Sequence, residues 1–364
     1  MNNSSKQLLA IVGGVLVFIF LFSLCNPFQR EIFLLEDPQI DRFVQNEAAN
    51  KVDILWVVDN SGSMESSQNN LAQNFSLFIQ RFVHEESEEL IDFQMAVVTT
   101  DMLQEDGRFV DGKILSRSDA ISDREGFIRE FQELLRVGTG GLGLECSLMP
   151  MLRASEHADQ QDFFREDAIL VVNILSDEGD MSEFFEQRID QLLRSGRNPD
   201  IPGRDYESFE AEASTYGMKV PPARMKNQSV EYFVKAIKDY KDGRRVMINS
   251  IVSLGGAIDG LSSKGEEQMK ASRMSGGIIA DIRSDFAGIL SDMGENIYQL
   301  AHSFALSRRA DSEDRMIVFV DDEEIYDWEY NPTYQSIEFT NGYIPPAGSE
   351  IEIHYEVFRQ YEGE

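Results

Sequence analysis

The side chains best suited to chemistry are three oxygen donors at alternate positions, Asp59, Ser61 and Ser63. They follow an apolar run over residues 52–58 that is rich in β-branched and aromatic residues and too short for a typical helix. Such a run predicts a strand buried on both faces, and ligands of open α/β sheets bind at the carboxyl ends of such strands. Carboxylate and hydroxyl oxygens without thiolate or imidazole favour Mg²⁺, which we expect first, with Ca²⁺ or Mn²⁺ as alternatives.

The pattern Asp-x-Ser-x-Ser, placed between this strand and an amphipathic helix predicted over residues 65–84, resembles a known metal site. It is similar to the metal-ion-dependent adhesion site (MIDAS) of von Willebrand factor A domains and integrin I domains. The resemblance implies an α/β fold, a doubly wound and mostly parallel sheet flanked by helices, over residues 51–307. Asp177 follows a second apolar strand, predicted over residues 167–176, and matches the third segment of the pattern.

The glycine-rich loop over residues 138–143 resembles the second segment, in which a threonine hydroxyl is a ligand. A plain loop leading into a helix is the alternative for this stretch. Carried over residue by residue, the resemblance implies that the metal ligands are Asp59, Ser61, Ser63, Thr139 and Asp177. Three further polar residues at strand ends are expected around the ion without binding it directly, with ordinary strand-end capping as the alternative for the first two: Thr100, Asp101 and Glu178.

The chain is longer than one such domain needs. Residues 182–242 are predicted as an insertion that forms either a wall of the ligand site or a surface elaboration. Residues 314–364 contain short runs that mostly alternate polar and apolar residues, separated by Asn-Pro, Asn-Gly and Pro-Pro. They predict a small antiparallel β unit that packs against the main domain, and they resemble tails that follow A domains in bacterial exported proteins.

The N-terminus predicts a membrane attachment. Residues 8–25 carry no charge, which is typical of an uncleaved transmembrane anchor within residues 1–25. The end of this run also resembles a bacterial lipobox, so the alternative is a lipoprotein with Cys25 as the lipidated residue. Residues 26–50 are predicted to be a juxtamembrane linker. Both alternatives place the globular part outside the cytoplasm in a bacterial cell envelope, either periplasmic or surface-exposed.

Composition limits the partners. The net charge of −31 disfavours nucleic acid as a ligand, and the four histidines show no zinc spacing. No nucleophile elbow, phosphate loop or dinucleotide fingerprint is present, so we expect no enzyme. The resemblance implies metal-dependent binding of a protein that presents a Glu or Asp carboxylate, in adhesion or in an envelope interaction. The alternative is a structural or assembly component of the envelope whose ion only stabilises loops, and a metal-dependent hydrolase is a weaker third hypothesis.

Overall fold

A computed structural model gives the structure of the protein. It describes residues 38–44, 51–80, 82–83, 91–196, 200–241, 245–255, 264–301, 303–332, 334–340, 343, 345–346 and 348–358.

The helices and strands follow one another in an α/β order that changes to all-β near the end of the chain. The strands in the described residues are β1 (Gln39–Val44), β2 (Lys51–Val58), β3 (Asp92–Thr99), β4 (Leu115–Ser116), β5 (Ile169–Ser176), β6 (Val246–Val252), β7 (Ile279–Asp281), β8 (Ser303–Ala305), β9 (Met316–Val320), β10 (Glu323–Ile325), β11 (Trp328–Asn331), β12 (Ser336–Phe339) and β13 (Glu350–Tyr355). The α-helices there are α1 (Glu65–Ile79), α2 (Arg117–Ser122), α3 (Arg124–Leu134), α4 (Leu148–Ala154), α5 (Phe185–Ser195), α6 (Tyr206–Glu212), α7 (Val230–Tyr240), α8 (Glu266–Ser275) and α9 (Phe286–Ala301).

The largest sheet has six strands in the order β4-β3-β2-β5-β6-β7. All of them are parallel except β4, which pairs antiparallel with β3. The chain runs outward from β2 through β3 to β4 and then returns to the other side of β2 as β5. The order of the strands therefore reverses between β2 and β5, and ligands of such sheets bind at the carboxyl ends of the strands on either side of that reversal.

Helices cover both faces of this sheet. In β2, Leu55 and Val57 point into one core cluster and Ile54 and Trp56 into the other, as the twofold period of a strand requires. α1, α3 and α9 pack on the Trp56 face, and α4, α5, α7 and α8 pack on the Leu55 face. The predicted fold class, a doubly wound α/β sheet flanked by helices, is confirmed.

The predicted insertion contributes to the core. Its described part carries α5, α6 and α7, whose buried side chains Phe185, Ile189, Phe209 and Phe233 belong to the same core cluster as Leu55. This segment therefore covers one face of the sheet and is more than a surface elaboration.

Two small antiparallel sheets form the β unit, with the strand orders β1-β13-β9-β10 and β11-β12-β8. They share an apolar core that includes Leu306, Val318, Trp328, Ile337, Ile353 and Tyr355. The predicted small antiparallel unit is thus present over the described part of residues 314–364. It touches the α/β unit through the Tyr334 hydroxyl, which donates to the Gly276 carbonyl at 2.6 Å.

Two strands from outside the predicted tail complete these small sheets. β1 pairs along its whole length with β13, so this part of residues 26–50 is a strand and not a linker. β8 follows closely after α9, which ends at Ala301, and pairs with β12. The α/β unit is therefore inserted between two strands of the β unit.

No helix within the described ranges is long and apolar enough to cross a membrane. The predicted anchor over residues 8–25, with Cys25, lies outside the described residues.

Candidate metal centre

The loop after β2 holds Asp59 rigidly at the carboxyl end of the sheet. The Asp59 side chain is fully buried, and its backbone N–H donates to the Leu175 carbonyl at 2.9 Å. One carboxylate oxygen accepts the Ser61 N–H at 2.8 Å, and the other accepts the Ser176 hydroxyl at 2.6 Å. These bonds fix both oxygens of Asp59 between the ends of β2 and β5.

The two serine hydroxyls link this loop to the end of β5. The Ser61 and Ser63 Oγ atoms lie 3.3 Å apart, and the Ser63 hydroxyl donates to Asp177 Oδ1 at 3.1 Å. Ser61 and Asp177 are buried, whereas Ser63 is exposed. Four of the five predicted ligands therefore lie together, and the group meets solvent at Ser63.

Thr139 lies apart from this group. It is exposed, and no hydrogen bond joins its side chain to any of the other four predicted ligands, all of which are described. Its loop nevertheless packs beside the loop after β2, because the Gln68 side chain donates to the Asp59 carbonyl at 2.8 Å and to the Gly138 carbonyl at 2.7 Å. The structure thus places the predicted second segment at this edge of the sheet without bringing its hydroxyl to the carboxylates.

Gly141 allows the two loops to approach so closely. Its N–H donates to the Asn60 carbonyl at 2.9 Å, and a Cβ built on Gly141 would lie 2.4 Å from Asn60 Oδ1 and 2.8 Å from that carbonyl oxygen. No other residue type fits here without moving the loop that carries Asp59 and Ser61.

The three residues expected around the ion have separate roles. Asp101 is buried, and its carboxylate accepts the N–H groups of Leu103, Gln104 and Leu142, each at 3.0 Å. It therefore ties the loop after β3 to the glycine-rich loop. Thr100 is also buried, and its carbonyl accepts the Cys146 N–H at 3.1 Å. The third residue, Glu178, is half-buried, and its carbonyl accepts the Gln268 side chain at 2.9 Å.

Glu145 belongs to this region and was missed by the sequence analysis. Only 3% of it is exposed, and its Oε2 atom has no hydrogen-bond partner. Burial raises the pKa of the Glu145 carboxyl to about 10, and the charge of Asp59, a hydrogen bond with Glu178 and the charge of Asp177 add to this effect. A signal was present in the sequence, since this is a single carboxylate inside the apolar stretch Leu142–Leu148.

Asp180, close by in the chain, is committed to structure. It is buried, and its Oδ2 atom accepts the N–H groups of Ser147 at 2.5 Å and Leu148 at 2.9 Å, at the start of α4. Its Oδ1 atom accepts the Ser182 N–H at 2.9 Å. Both carboxylate oxygens accept hydrogen bonds from these partners, so Asp180 fixes the loop after β5.

The donor chemistry of the group around Asp59 fits a hard divalent cation. Burial raises the pKa of the Asp59 carboxyl to about 6, and the charge of Asp177 acts in the same direction, while hydrogen bonds from Ser176 and Ser61 oppose it. Two neighbouring carboxylates and two hydroxyls are the oxygen donors that Mg²⁺ and Ca²⁺ use. Among the described residues no three His, Cys, Asp or Glu side chains are already arranged to hold an ion, so the hydroxyls of Ser61 and Ser63 are needed to complete the donor set.

Comparison with known proteins gives distant structural likenesses. No protein-family model matches the chain, and no curated protein matches its sequence. Similar solved structures include the pilus adhesin SpaC from Lactobacillus rhamnosus GG, with 12% identity and a TM-score of 0.41 over 88% of this chain and 43% of the adhesin. Human COPII-coat protein Sec24c gives 7% identity and a TM-score of 0.38 over 89% of this chain and 43% of its own.

A third similar structure is proximal thread matrix protein 1 from the mussel byssus, solved with a zinc-occupied MIDAS motif. It gives 14% identity and a TM-score of 0.37 over 71% of this chain and 48% of its own. This chain spans less than half the length of each of these three proteins. The fold and site described above therefore rest on the chain's own sequence and geometry.

Proposed function

We propose that this protein is a metal-dependent protein-binding module of the adhesion type, displayed from a membrane of a bacterial cell envelope. One observation carries the proposal: Asp59, Ser61, Ser63 and Asp177 meet where the strand order reverses, with Ser63 exposed. Oxygen donors that are buried on one side and exposed on the other can bind an ion and leave one of its coordination positions open to a partner.

In the proposed site, the buried residues bind the ion and the exposed side leaves it accessible to a partner. Asp59 and Asp177 would supply the negative charge, and the hydroxyls of Ser61 and Ser63 would complete the site directly or through water. A bound Mg²⁺, or Ca²⁺ or Mn²⁺, supplies a positive charge that attracts a Glu or Asp carboxylate of the partner protein. This matters in a chain with a net charge of −31, which would otherwise repel an acidic ligand.

The proposal includes no catalysis. The serine hydroxyls hydrogen-bond to each other and to Asp177, and neither accepts or donates a hydrogen bond to an imidazole within the described residues. A serine without a neighbouring base is a weak nucleophile. A metal-dependent hydrolase therefore stays the weaker hypothesis.

A second function, a structural component of the envelope, is favoured by the buried side of the same group. Asp59 is fully buried among loops that follow β2, β3 and β5, so an ion there would also offset repulsion within the fold. In that case binding of the ion would raise stability without creating a site for a partner.

The membrane part of the proposal rests on the sequence alone. Residues 8–25 carry no charge and are mostly apolar, which supports an anchor or a lipoprotein attached at Cys25. Display in the envelope, with the globular part outside the cytoplasm, follows from either attachment.

The test uses the purified full-length chain and a random peptide library displayed on phage. The library is panned on the protein in MgCl₂ and eluted with EDTA, and enriched peptides are synthesised with each Glu or Asp and with the matching Gln or Asn. We expect the enriched peptides to share one acidic residue and to lose binding when that residue becomes an amide. We also expect binding to vanish in the Asp59→Asn variant.

The two functions give different results in this experiment. Saturable Mg²⁺ binding that raises the melting temperature, with no EDTA-released peptides, would favour the structural role. Peptides that bind equally well in EDTA or to the Asp59→Asn variant would refute metal-dependent recognition. A second variant, Glu324→Gln, changes an exposed carboxylate of the β unit to an amide and serves as the control for nonspecific effects of mutation.

A further inference from the structure

We propose that Glu145 is a direct ligand of the cation, in the place that the sequence pattern gives to Thr139. The inference rests on the proposed function, since it concerns the same ion. It assigns a third carboxylate to the site, from a residue that the Asp-x-Ser-x-Ser pattern does not include. The three carboxylates are not arranged to hold an ion in the described structure, so the inference requires their side chains to turn toward the ion when it binds.

The backbone places Glu145 across the end of β2. Residue 145 forms an antiparallel bridge with Asp101, which follows β3, and its carbonyl accepts the Met181 N–H at 2.9 Å in the loop after β5. In the sheet β2 lies between β3 and β5. Because residue 145 is joined to the loops after both β3 and β5, it lies across the carboxyl end of β2, where Asp59 lies.

The side chain lies near enough to the other carboxylates to interact with them electrostatically. Glu145 is 97% buried, hydrogen-bonds through its carboxyl with Glu178, and interacts electrostatically with Asp59 and Asp177. Its Oε2 atom has no hydrogen-bond partner. Buried carboxylates in proteins are normally paired with a cation or bound to a metal, whereas the charged groups that act most strongly on this one are all carboxylates.

The other acidic residues buried in these loops do not share this property. Asp101 accepts three backbone N–H groups, and Asp180 accepts three N–H groups and the Ser182 hydroxyl. Both are satisfied by the fold, whereas Glu145 keeps a free oxygen. Thr139, the residue that Glu145 would replace, is exposed.

The experiment is calorimetric titration of MgCl₂, CaCl₂ and MnCl₂ into the full-length protein at neutral pH. The variants are Glu145→Gln, Thr139→Val and Asp59→Asn. We expect the affinity of the wild type for its preferred ion to fall about tenfold or more in Glu145→Gln, and to stay unchanged in Thr139→Val. Asp59→Asn reports on the site as a whole and is expected to lose binding.

A second measurement separates a ligand from a residue that only maintains the fold. Thermal unfolding in EDTA is expected to give Glu145→Gln a melting temperature equal to or above that of the wild type, because the amide keeps the shape of the carboxyl group and carries no charge to bury beside Asp59 and Asp177. Adding the ion should raise the melting temperature of the wild type by more than that of the variant at the same ion concentration. A variant that melts below the wild type in EDTA would indicate a structural role and overturn the inference.

The failure of this inference differs from the failure of the proposed function. Binding that survives in Glu145→Gln but is lost in Asp59→Asn overturns the role of Glu145 and leaves the metal site intact. If the wild type binds none of the three ions, the proposed function fails, and the inference about Glu145 fails with it.

Discussion

Replacing Gly141 by alanine should damage the candidate site through one contact. The backbone of Gly141 lies against Asn60, the residue between Asp59 and Ser61, and an added Cβ would lie 2.4 Å from its Oδ1 atom and 2.8 Å from its carbonyl oxygen. The side-chain oxygen can move by rotation, but the carbonyl oxygen belongs to the loop itself. Gly141→Ala must therefore displace the backbone next to two of the proposed ligands.

Two contributions lower the stability of the Gly141→Ala variant. Overpacking of this kind costs about 1–3 kcal/mol, and losing the hydrogen bond from the Gly141 N–H to the Asn60 carbonyl costs about 1 kcal/mol more. We expect the free energy of unfolding to fall by about 2–4 kcal/mol. Because misplaced ligand supports weaken metal sites, the affinity for the ion should fall about 10–100-fold.

The neighbouring Gly140 is a matched control. A Cβ on Gly140 would meet no atom within 4 Å, and neither Gly140 nor Gly141 has a positive φ. Gly140→Ala should therefore leave metal affinity unchanged and change stability by no more than about 1 kcal/mol in the stabilising direction. Urea unfolding of the full-length variants measures stability, and calorimetric titration measures affinity.

The double variant Asn60→Ala/Gly141→Ala tests the contact itself. It removes Oδ1 but keeps the carbonyl oxygen at 2.8 Å, so part of the lost stability should return. The reasoning is refuted if Gly141→Ala keeps wild-type stability and affinity, or if Gly140→Ala is equally harmful. Either result would mean that the two loops do not pack as described.

Three further predictions concern other parts of the molecule. Arg165→Met removes the side-chain ion pair at 2.8 Å with the fully buried Asp53 and should cost about 3–5 kcal/mol in urea unfolding. Arg108→Met, which breaks an exposed ion pair, should cost at most about 1 kcal/mol there, and equal losses would contradict this account. Burial alone would raise the pKa of Asp41, but hydrogen bonds from Ser307 and Tyr355 hold it below its ordinary 3.8. The stability that ionised Asp41 gives the fold is therefore present above that value and is lost as the pH falls through the lowered pKa. Asp41→Asn should therefore be less stable than the wild type at neutral pH and converge with it in acid, and a constant difference across the pH series would be evidence against this. With Glu145 as a third carboxylate ligand, Glu145→Gln should weaken Ca²⁺ binding more than Mg²⁺ binding, because Ca²⁺ takes more carboxylate ligands, and equal losses for the two ions in titration would argue against a third carboxylate.

The sequence was sufficient to predict the positions of the site residues that directly follow a strand. Apolar runs identify β2 and β5 as buried parallel strands, and parallel strands that are neighbours place their carboxyl ends at the same edge of the sheet. Asp59 and Asp177 directly follow these two strands, so they meet once the strands are neighbours, as the resemblance to A domains implies. Ser61 and Ser63 follow Asp59 within four residues of the chain, so they must lie near it.

The glycine-rich loop shows where local pattern stops being informative. Its sequence draws attention to Thr139, the one polar residue among glycines, yet the structure exposes that residue and buries Glu145. The position at which this segment crosses the end of β2 decides that the Glu145 side chain is buried and the Thr139 side chain is exposed. That path is set by contacts with Asn60, Asp101 and Met181, none of which lies near the loop in sequence.

The β unit depends even more on tertiary structure. β1 offers six residues with no strong strand signal, and its partner β13 lies at the far end of the chain. The Tyr355 hydroxyl donates to the Asp41 carboxylate across a separation of 314 residues, and Ser307 donates to the same carboxylate. Sequence patterns report which face of a segment will be buried, because burial follows from the local period of apolar residues. The choice of partner depends on distant segments that the folded chain alone brings together.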